Sequence, residues 1–210
     1  MKFERPLQEK ELNILNLQLD PQGNTRRNQI RFLVIWTFLA LIIGTIAYFN
    51  IDPQNVIILL LTLASYFGIG IWIVAEQRIK AMRRRNSIAY LKNKNLVTAV
   101  EVNSDSFYLL EEEEDEGVFY LFQLENNKVF SFGGQDFYED DNFPSDKFEI
   151  VEGRGIKNEI LILETFVYGK KIKPRKIISG KEKWDLLSGS QYPDPEKLTV
   201  VDGRIEDYIK

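Results

Sequence analysis

The chain has no cysteine and no histidine. Disulfide frameworks, thiolate nucleophiles, imidazole bases and Cys/His zinc sites are therefore excluded, and much enzyme chemistry goes with them. Charge is scarce in one region: between Phe32 and Ala75 there is one acid, Asp52, and no base. That is the composition of a membrane-embedded stretch. The polar segment before it, with only scattered leucines, lacks the apolar run of a cleavable signal peptide, so the apolar stretch is expected to persist. There is no internal repeat. Gly133-Gly134 and Gly153-Arg154-Gly155 lack the Lys-Ser/Thr or strand-to-helix context of a phosphate loop and read as turns.

What is present begins with two apolar spans. Phe32 to Ile51 is 20 residues, about 30 Å of helix, the hydrocarbon thickness of a bilayer. Asn50 to Asn55 supplies turn formers and the helix-breaking Pro53, and Val56 to Ala75 is a second span of 20. Each span holds 12 Leu, Ile, Val or Phe residues, which at roughly −0.3 to −0.6 kcal/mol apiece favour insertion by several kcal/mol. A short-looped transmembrane hairpin is the expectation, with Ala40 and Gly44 on one helix and Ala64 and Gly68 on the other, at roughly matching depth, read either as small-xxx-small packing pairs or as small residues that simply fill membrane helices.

The flanks predict orientation. Arg26, Arg27 and Arg31 precede the first span, and Arg78, Lys80, Arg83, Arg84 and Arg85 follow the second, while the connecting loop has no base. The positive-inside rule puts both termini in the cytoplasm. These eight residues are the predicted topology determinant and headgroup contact, each contributing about 1 kcal/mol at an anionic surface. Residues 1–85 carry 11 bases against 6 acids and residues 86–210 carry 16 against 25, so a basic membrane-proximal part precedes an acidic one of net −9.

Past Asn95 the period shortens to two. LVTAVEV (96–102), SFYLL (106–110), VFYLFQL (118–124) and KVFSF (128–132) are β-branched and aromatic, divided by turn signals, and read as an antiparallel meander. FEIV (148–151), EILILETFVY (159–168), KIKPRKII (171–178) and LTVV (198–201) are further strands, the third at a sheet edge because Pro174 lacks an amide proton. Ser179 to Glu182 matches a capping box opening a short helix that carries Trp184 and Leu187, ends near Gly189 and packs on the sheet. The predicted organisation is a leader (1–31), a transmembrane hairpin (32–75), a basic juxtamembrane stalk (76–95) whose helix runs on to Leu91, and a mainly antiparallel β domain (96–210), a small barrel or sandwich. The fold class is α+β.

Three polar stretches are candidates for function. The acidic run Glu111 to Glu116 reads as a solvated, self-repelling loop. The stretch from Asp136 to Glu149 is rich in carboxylates yet departs from the EF-hand pattern, and four aromatic rings interrupt it. Lys170, Lys171, Lys173, Arg175 and Lys176 form a candidate partner-binding patch, or the lysine-rich guard of an edge strand. Nucleic acid is disfavoured by the acidic charge of the domain, and no cofactor is expected.

The layout is similar to that of bacterial membrane proteins with PH-like or SH3-like soluble domains, a similarity that transfers no site residues. The function expected is a non-enzymatic anchor or adaptor, displaying a β domain at the cytoplasmic face of a bacterial inner membrane. Its partners are the lipid bilayer and a protein or second copy bound through that domain. The alternative is an oligomeric pore or transporter subunit built from the hairpin, whose only aliphatic hydroxyls are Thr37, Thr45, Thr62 and Ser65.

Overall fold

The computed structural model describes residues 2–19, 22–50, 56–189 and 193–208. It is an α+β chain with two long apolar helices near the N-terminus and two β-sheets, one antiparallel and one mixed. Two compact units divide it: Gln8–Asn93, and Met1–Leu7 together with Lys94–Lys210.

The first unit is helical. Helix α1 (Glu9–Leu19) was unexpected. Its signal lay in the leader, with Leu12, Leu15 and Leu19 at i, i+3 and i+7, and Leu15 is fully buried. Glu11 closes the first turn by accepting the Gln8 amide at 2.5 Å, the side-chain half of a capping box. Helix α2 (Gln22–Asn50) begins ten residues before the apolar span, and α3 (Val56–Lys94) carries its helix 19 residues beyond Ala75. Asn95, at φ 51°, ends α3 in the left-handed conformation that asparagine tolerates. The predicted turn at 51–55, with Asp52 and Pro53, lies outside the described residues. Both helices are long and apolar enough to cross a membrane by length and composition.

The second unit is built on strands. Strand β1 (Lys2–Arg5) precedes all helices, and the rest follow α3: β2 (Val97–Asn103), β3 (Phe107–Leu110), β4 (Val118–Leu124), β5 (Lys128–Gly134), β6 (Lys147–Arg154), β7 (Ile160–Val167), β8 (Lys176–Ile178) and β9 (Thr199–Asp202), with α4 (Gly180–Leu187) between the last two. One sheet has the order β1-β2-β6-β7 and the other β8-β3-β4-β5-β9. The predicted leader is thereby corrected: residues 2–5 are an edge strand, antiparallel to β2, with Lys2 opposite Val100 and Arg5 opposite Val97. The strand expected over 171–178 is confined to 176–178 and runs parallel to β3, since Pro174 removes a ladder donor just before it. Gly133-Gly134 and Gly153-Arg154 lie within strands rather than turns. A Cβ on Gly133 would run into the Phe119 ring, which explains glycine there.

Alternation gathers inward-facing residues of both sheets in one cluster. Val100, Val102, Phe148 and Ile150 come from one sheet, and Phe107, Tyr120, Phe122, Phe130 and Phe132 from the other. Phe107 stacks on Phe122 at 4.8 Å, Phe130 on Phe132 at 4.8 Å, and Phe122 meets Phe148 edge-on at 5.1 Å. Such pairs add about 0.5–1.5 kcal/mol each beyond the area they bury.

Candidate interaction surface

In the helical unit, a polar clamp fixes α2 against α3. The Trp36 Nε1–H donates to the Tyr66 carbonyl at 3.2 Å, the Tyr66 hydroxyl reaches the Trp36 carbonyl at 3.5 Å, and the two rings stack at 4.3 Å. The small residue that permits this approach is Gly70, where a Cβ would come within 2.7 Å of Trp36 Nε1. The four small residues of the expected packing pairs differ in their surroundings. Ala40 is buried and Gly44 packs near Leu63, but Ala64 and Gly68 are exposed, with nothing within 4 Å of a Cβ on Gly68. The inward stripe of α3 runs through Leu63, Tyr66, Gly70 and Val74, which puts residues 64 and 68 off the contact.

A second link aligns the bases. Arg78 Nε approaches Gln29 Oε1 at 3.4 Å, so the start of α2, with Arg27 and Arg31 exposed, lies level with the basic part of α3. Lys80 pairs with Glu76 at 2.7 Å one turn away, while Arg83, Arg84 and Arg85 are exposed. The Arg26 side chain lies outside what is described.

In the β unit, opposite charges hold loops rather than gather at a cleft. Lys171 pairs with Glu139 at 2.7 Å and donates to the Asp140 carbonyl at 2.5 Å. Arg175 reaches Glu206 at 3.4 Å and Ser106 Oγ at 3.2 Å, and Lys176 pairs with Glu182. The backbone amide of Lys170 is held by Asp146, and Lys173 is exposed without an ion pair among the described residues. Three of the five cations in the candidate patch thus meet acids of the same unit. Two carboxylates of 136–149 are similarly engaged: Asp140 accepts the amides of Asn142 and Phe143, and Asp146 that of Lys170. Among the described residues no group of three or more potential metal ligands converges.

The acidic run is the clearest departure from expectation. The run is a largely exposed loop, as expected, but its own repulsion does not keep it free: Glu111 to Glu116 folds onto α4. Lys183, fully buried, pairs with Glu116 and donates to the Glu111 carbonyl, its ammonium 5.2 Å from the Phe119 ring centre. Glu113 accepts the Gly180 amide and, at 3.0 Å, the Trp184 indole N–H. It is Glu113, therefore, that caps α4; Ser179 makes no side-chain cap, and Glu182 turns to Lys176. Burial pushes the Glu116 carboxyl up, but the Lys183 ammonium and nearby amides outweigh it and hold it at about 2. The hint in sequence was a lysine on the apolar side of α4, three and four residues before Leu186 and Leu187, which pack with Leu110, Phe119 and Ile178.

An open groove of about 630 Å³ runs between β1–β2 and the β4–β5 hairpin, lined by Lys2, Glu101, Asn103, Glu125 and Lys128 over Leu124 and Val200. It offers two cations, two acids and a narrow apolar floor. Compared with protein-family models, curated proteins and solved structures, the chain matches none.

Proposed function

We propose that this chain is a non-enzymatic membrane anchor or adaptor, with α2 and α3 crossing the bilayer as a hairpin and both termini on the cytoplasmic side of a bacterial inner membrane. The observation that carries this reading is the pairing of β1 with β2. Strand β1 lies before both apolar helices and β2 after both, so the chain leaves the β unit, passes through the helices and returns. Two strands joined by backbone hydrogen bonds must lie on one side of a membrane, and only an even number of crossings allows that. The positive flanks then set which side it is.

The lipid-facing character of the helices agrees. Ile57, Leu61, Phe38 and Ile46 are 60–71% exposed, an arrangement disfavoured in water and suited to hydrocarbon. The two sheets sharing one aromatic core are read as a small sandwich, whose groove and edge strands are the means of engaging a protein partner. The pore alternative gains no support from the hydroxyls it would need: Thr45, Thr62 and Ser65 donate to carbonyls of their own helix at 2.7, 2.9 and 2.9 Å.

Cysteine labelling tests the topology, aided by the absence of natural cysteine. Asn55→Cys is expected to react with an impermeant maleimide in intact cells, and Asp105→Cys only after permeabilisation. Equal reaction of both in intact cells would remove the hairpin reading.

A further inference from the structure

The two sheets of the β unit share one aromatic core, and that core is closed differently on its two flanks. On the flank of β7 and β8, each the last strand of its sheet, the unit supplies its own cover. Phe137 and Phe143, from the segment between β5 and β6, are buried and lie with Leu163 and Val167 of β7 around a cavity of about 200 Å³. Phe143 meets Tyr120 and Phe148 edge-on, at 5.3 Å each. Ile172, whose amide donates to the Pro144 carbonyl at 2.9 Å, packs on the same cluster. Bulky apolar side chains on irregular segments stopper this side.

On the flank of β1 and β9, the opposite terminal strands, no segment of the β unit is inserted among the described residues, and the groove of about 630 Å³ opens there instead. Leu124 and Val200, which pack against the same cluster, are half-buried at its floor. β1 and β9 each pair with a single strand, so each presents an outer edge of backbone groups that no further strand takes. The chain enters and leaves the unit at Leu7 and Lys94, at the end of the sheet where Arg5 faces Val97, whereas the groove lies towards the other end, at Lys2, Asn103 and the turn at Glu125.

The rim carries sign as well as shape. Glu125 accepts from the Asn103 side chain at 3.3 Å, and Glu101 is engaged too, whereas the ammonium groups of Lys2 and Lys128 have no partner among the described residues. From residue 86 onwards acids outnumber bases. Two unpaired lysines on one groove of such a unit are the charges left to meet a ligand, and they favour an anionic one.

We propose that this groove takes an extended acidic segment of a partner protein, one bulky apolar side chain closing the flank as Phe143 closes the other, and its carboxylates meeting Lys2 and Lys128. The terminal strands suit an extended backbone, and the half-buried floor suits a single anchor. The chain's own stretches that combine acids with aromatic rings, 111–119 and 136–143, are folded into the unit: Glu113 and Glu116 hold α4, and Phe137 and Phe143 fill the core. A second copy therefore has no free segment of this kind among the described residues. The proposal rests on the reading of the β unit as the partner-binding part, and on nothing in the membrane reading.

The test is fluorescence anisotropy of a labelled octapeptide, in which Glu alternates with Val and one central Val is replaced by Phe, titrated with the full-length protein in zwitterionic lipid nanodiscs. Saturable binding is expected. Lys in place of every Glu, or Ser in place of the Phe, should each weaken it roughly tenfold. Lys2→Glu with Lys128→Glu, both at exposed positions, should weaken the acidic peptide roughly tenfold as well, and Lys157→Glu with Lys181→Glu, the same change of charge at exposed positions outside the groove, should not. Tighter or equal binding of the Lys peptide would overturn the acidic assignment and leave the groove as a peptide site. Binding of neither peptide would overturn the proposal and remove the groove from the partner-binding reading, and an equal loss from the control pair would overturn the assignment to this groove. A dimer of the full-length chain that Lys2→Glu with Lys128→Glu dissociates would also overturn it, and give the groove to a second copy. Wrong labelling at 55 and 105 with peptide binding intact would remove the hairpin and leave the groove standing.

Discussion

Lys183 sits where its charge would be costly on its own, with no exposed surface and an aromatic ring beside it. Glu116 and the Glu111 carbonyl make the position tolerable, and they also pin the acidic loop against its own repulsion. Replacing Lys183 by Met keeps most of the volume but leaves Glu116 without its cation. A loss of about 1.5 kcal/mol is expected in urea unfolding of a fragment that links residues 1–7 to 94–210, with part of it recovered when Glu116→Gln is added. The pH dependence has a definite sign. Glu116 is depressed in the folded state to about 2 from an ordinary 4.5, so its contribution is complete above pH 4.5 and is lost as pH falls towards 2. Trp184, bonded to Glu113 in the same loop and the one tryptophan of that fragment, reports it. Its fluorescence should change between pH 4.5 and 2 in the natural sequence and lose that component in Glu116→Gln. The clamp at Trp36 makes a smaller prediction at this scale. Trp36→Phe keeps a ring against Tyr66 and loses one hydrogen bond, costing about 0.6 kcal/mol in micelle unfolding, whereas Gly70→Leu drives a side chain into the ring and should separate the helices.

Among the elements, β1 carries the most consequence for its four residues. Arg5 holds Glu149 through two hydrogen bonds, 2.7 and 2.9 Å, with both side chains nearly buried, at 11% and 9% exposure. Arg5→Ala leaves the Glu149 carboxylate without its cation, with the Tyr168 hydroxyl still donating to it at 3.3 Å. It should destabilise the β unit by about 2 kcal/mol in thermal or urea unfolding, and Arg5→Lys should not fully restore it, because an ammonium cannot span both oxygens. The sequence hid this strand for a physical reason. KFER has one apolar residue and no alternation, and what makes it a strand is a partner almost a hundred residues away. Strands with their own signal were legible: VFYLFQL was read over its actual range, and the boundaries of β2, β3, β6 and β7 shifted by a few residues at most. The two apolar helices were legible from composition, while α1, with its three leucines in a polar segment, was not. For the candidate site the pattern is reversed. Charges were easy to see, but which acid meets which base depends on tertiary geometry, so the capping role of Glu113 and the burial of Lys183 had no local signature beyond one misplaced lysine.

At the scale of the whole molecule, the basic residues and the β1–β2 pairing would each impose the proposed hairpin topology, by different means. Arg78, Lys80, Arg83, Arg84 and Arg85 each contribute about 1 kcal/mol towards a cytoplasmic position. None is tied into a pocket: Lys80 pairs with Glu76 on its own helix, and the last three are exposed. A collective determinant should therefore absorb single losses. Arg84→Gln alone is expected to leave labelling at Asn55→Cys and Asp105→Cys unchanged, and replacing all five by Gln should expose position 105 to external reagent in a fraction of molecules. The fold then supplies a consequence that charge counting does not. In a molecule whose α3 has lost its orientation, β2 emerges on the far side and β1 has no partner, so the misoriented fraction should also show rapid exchange at those alternate amides of residues 97–100 that bond to β1 rather than to β6 in the native ladder. Misorientation and loss of protection should rise together across a series of two, three and five replacements. If Arg84→Gln instead abolishes binding of the partner while topology, abundance and protection stay normal, the arginines form a specific site, and their reading as a shared electrostatic anchor is wrong.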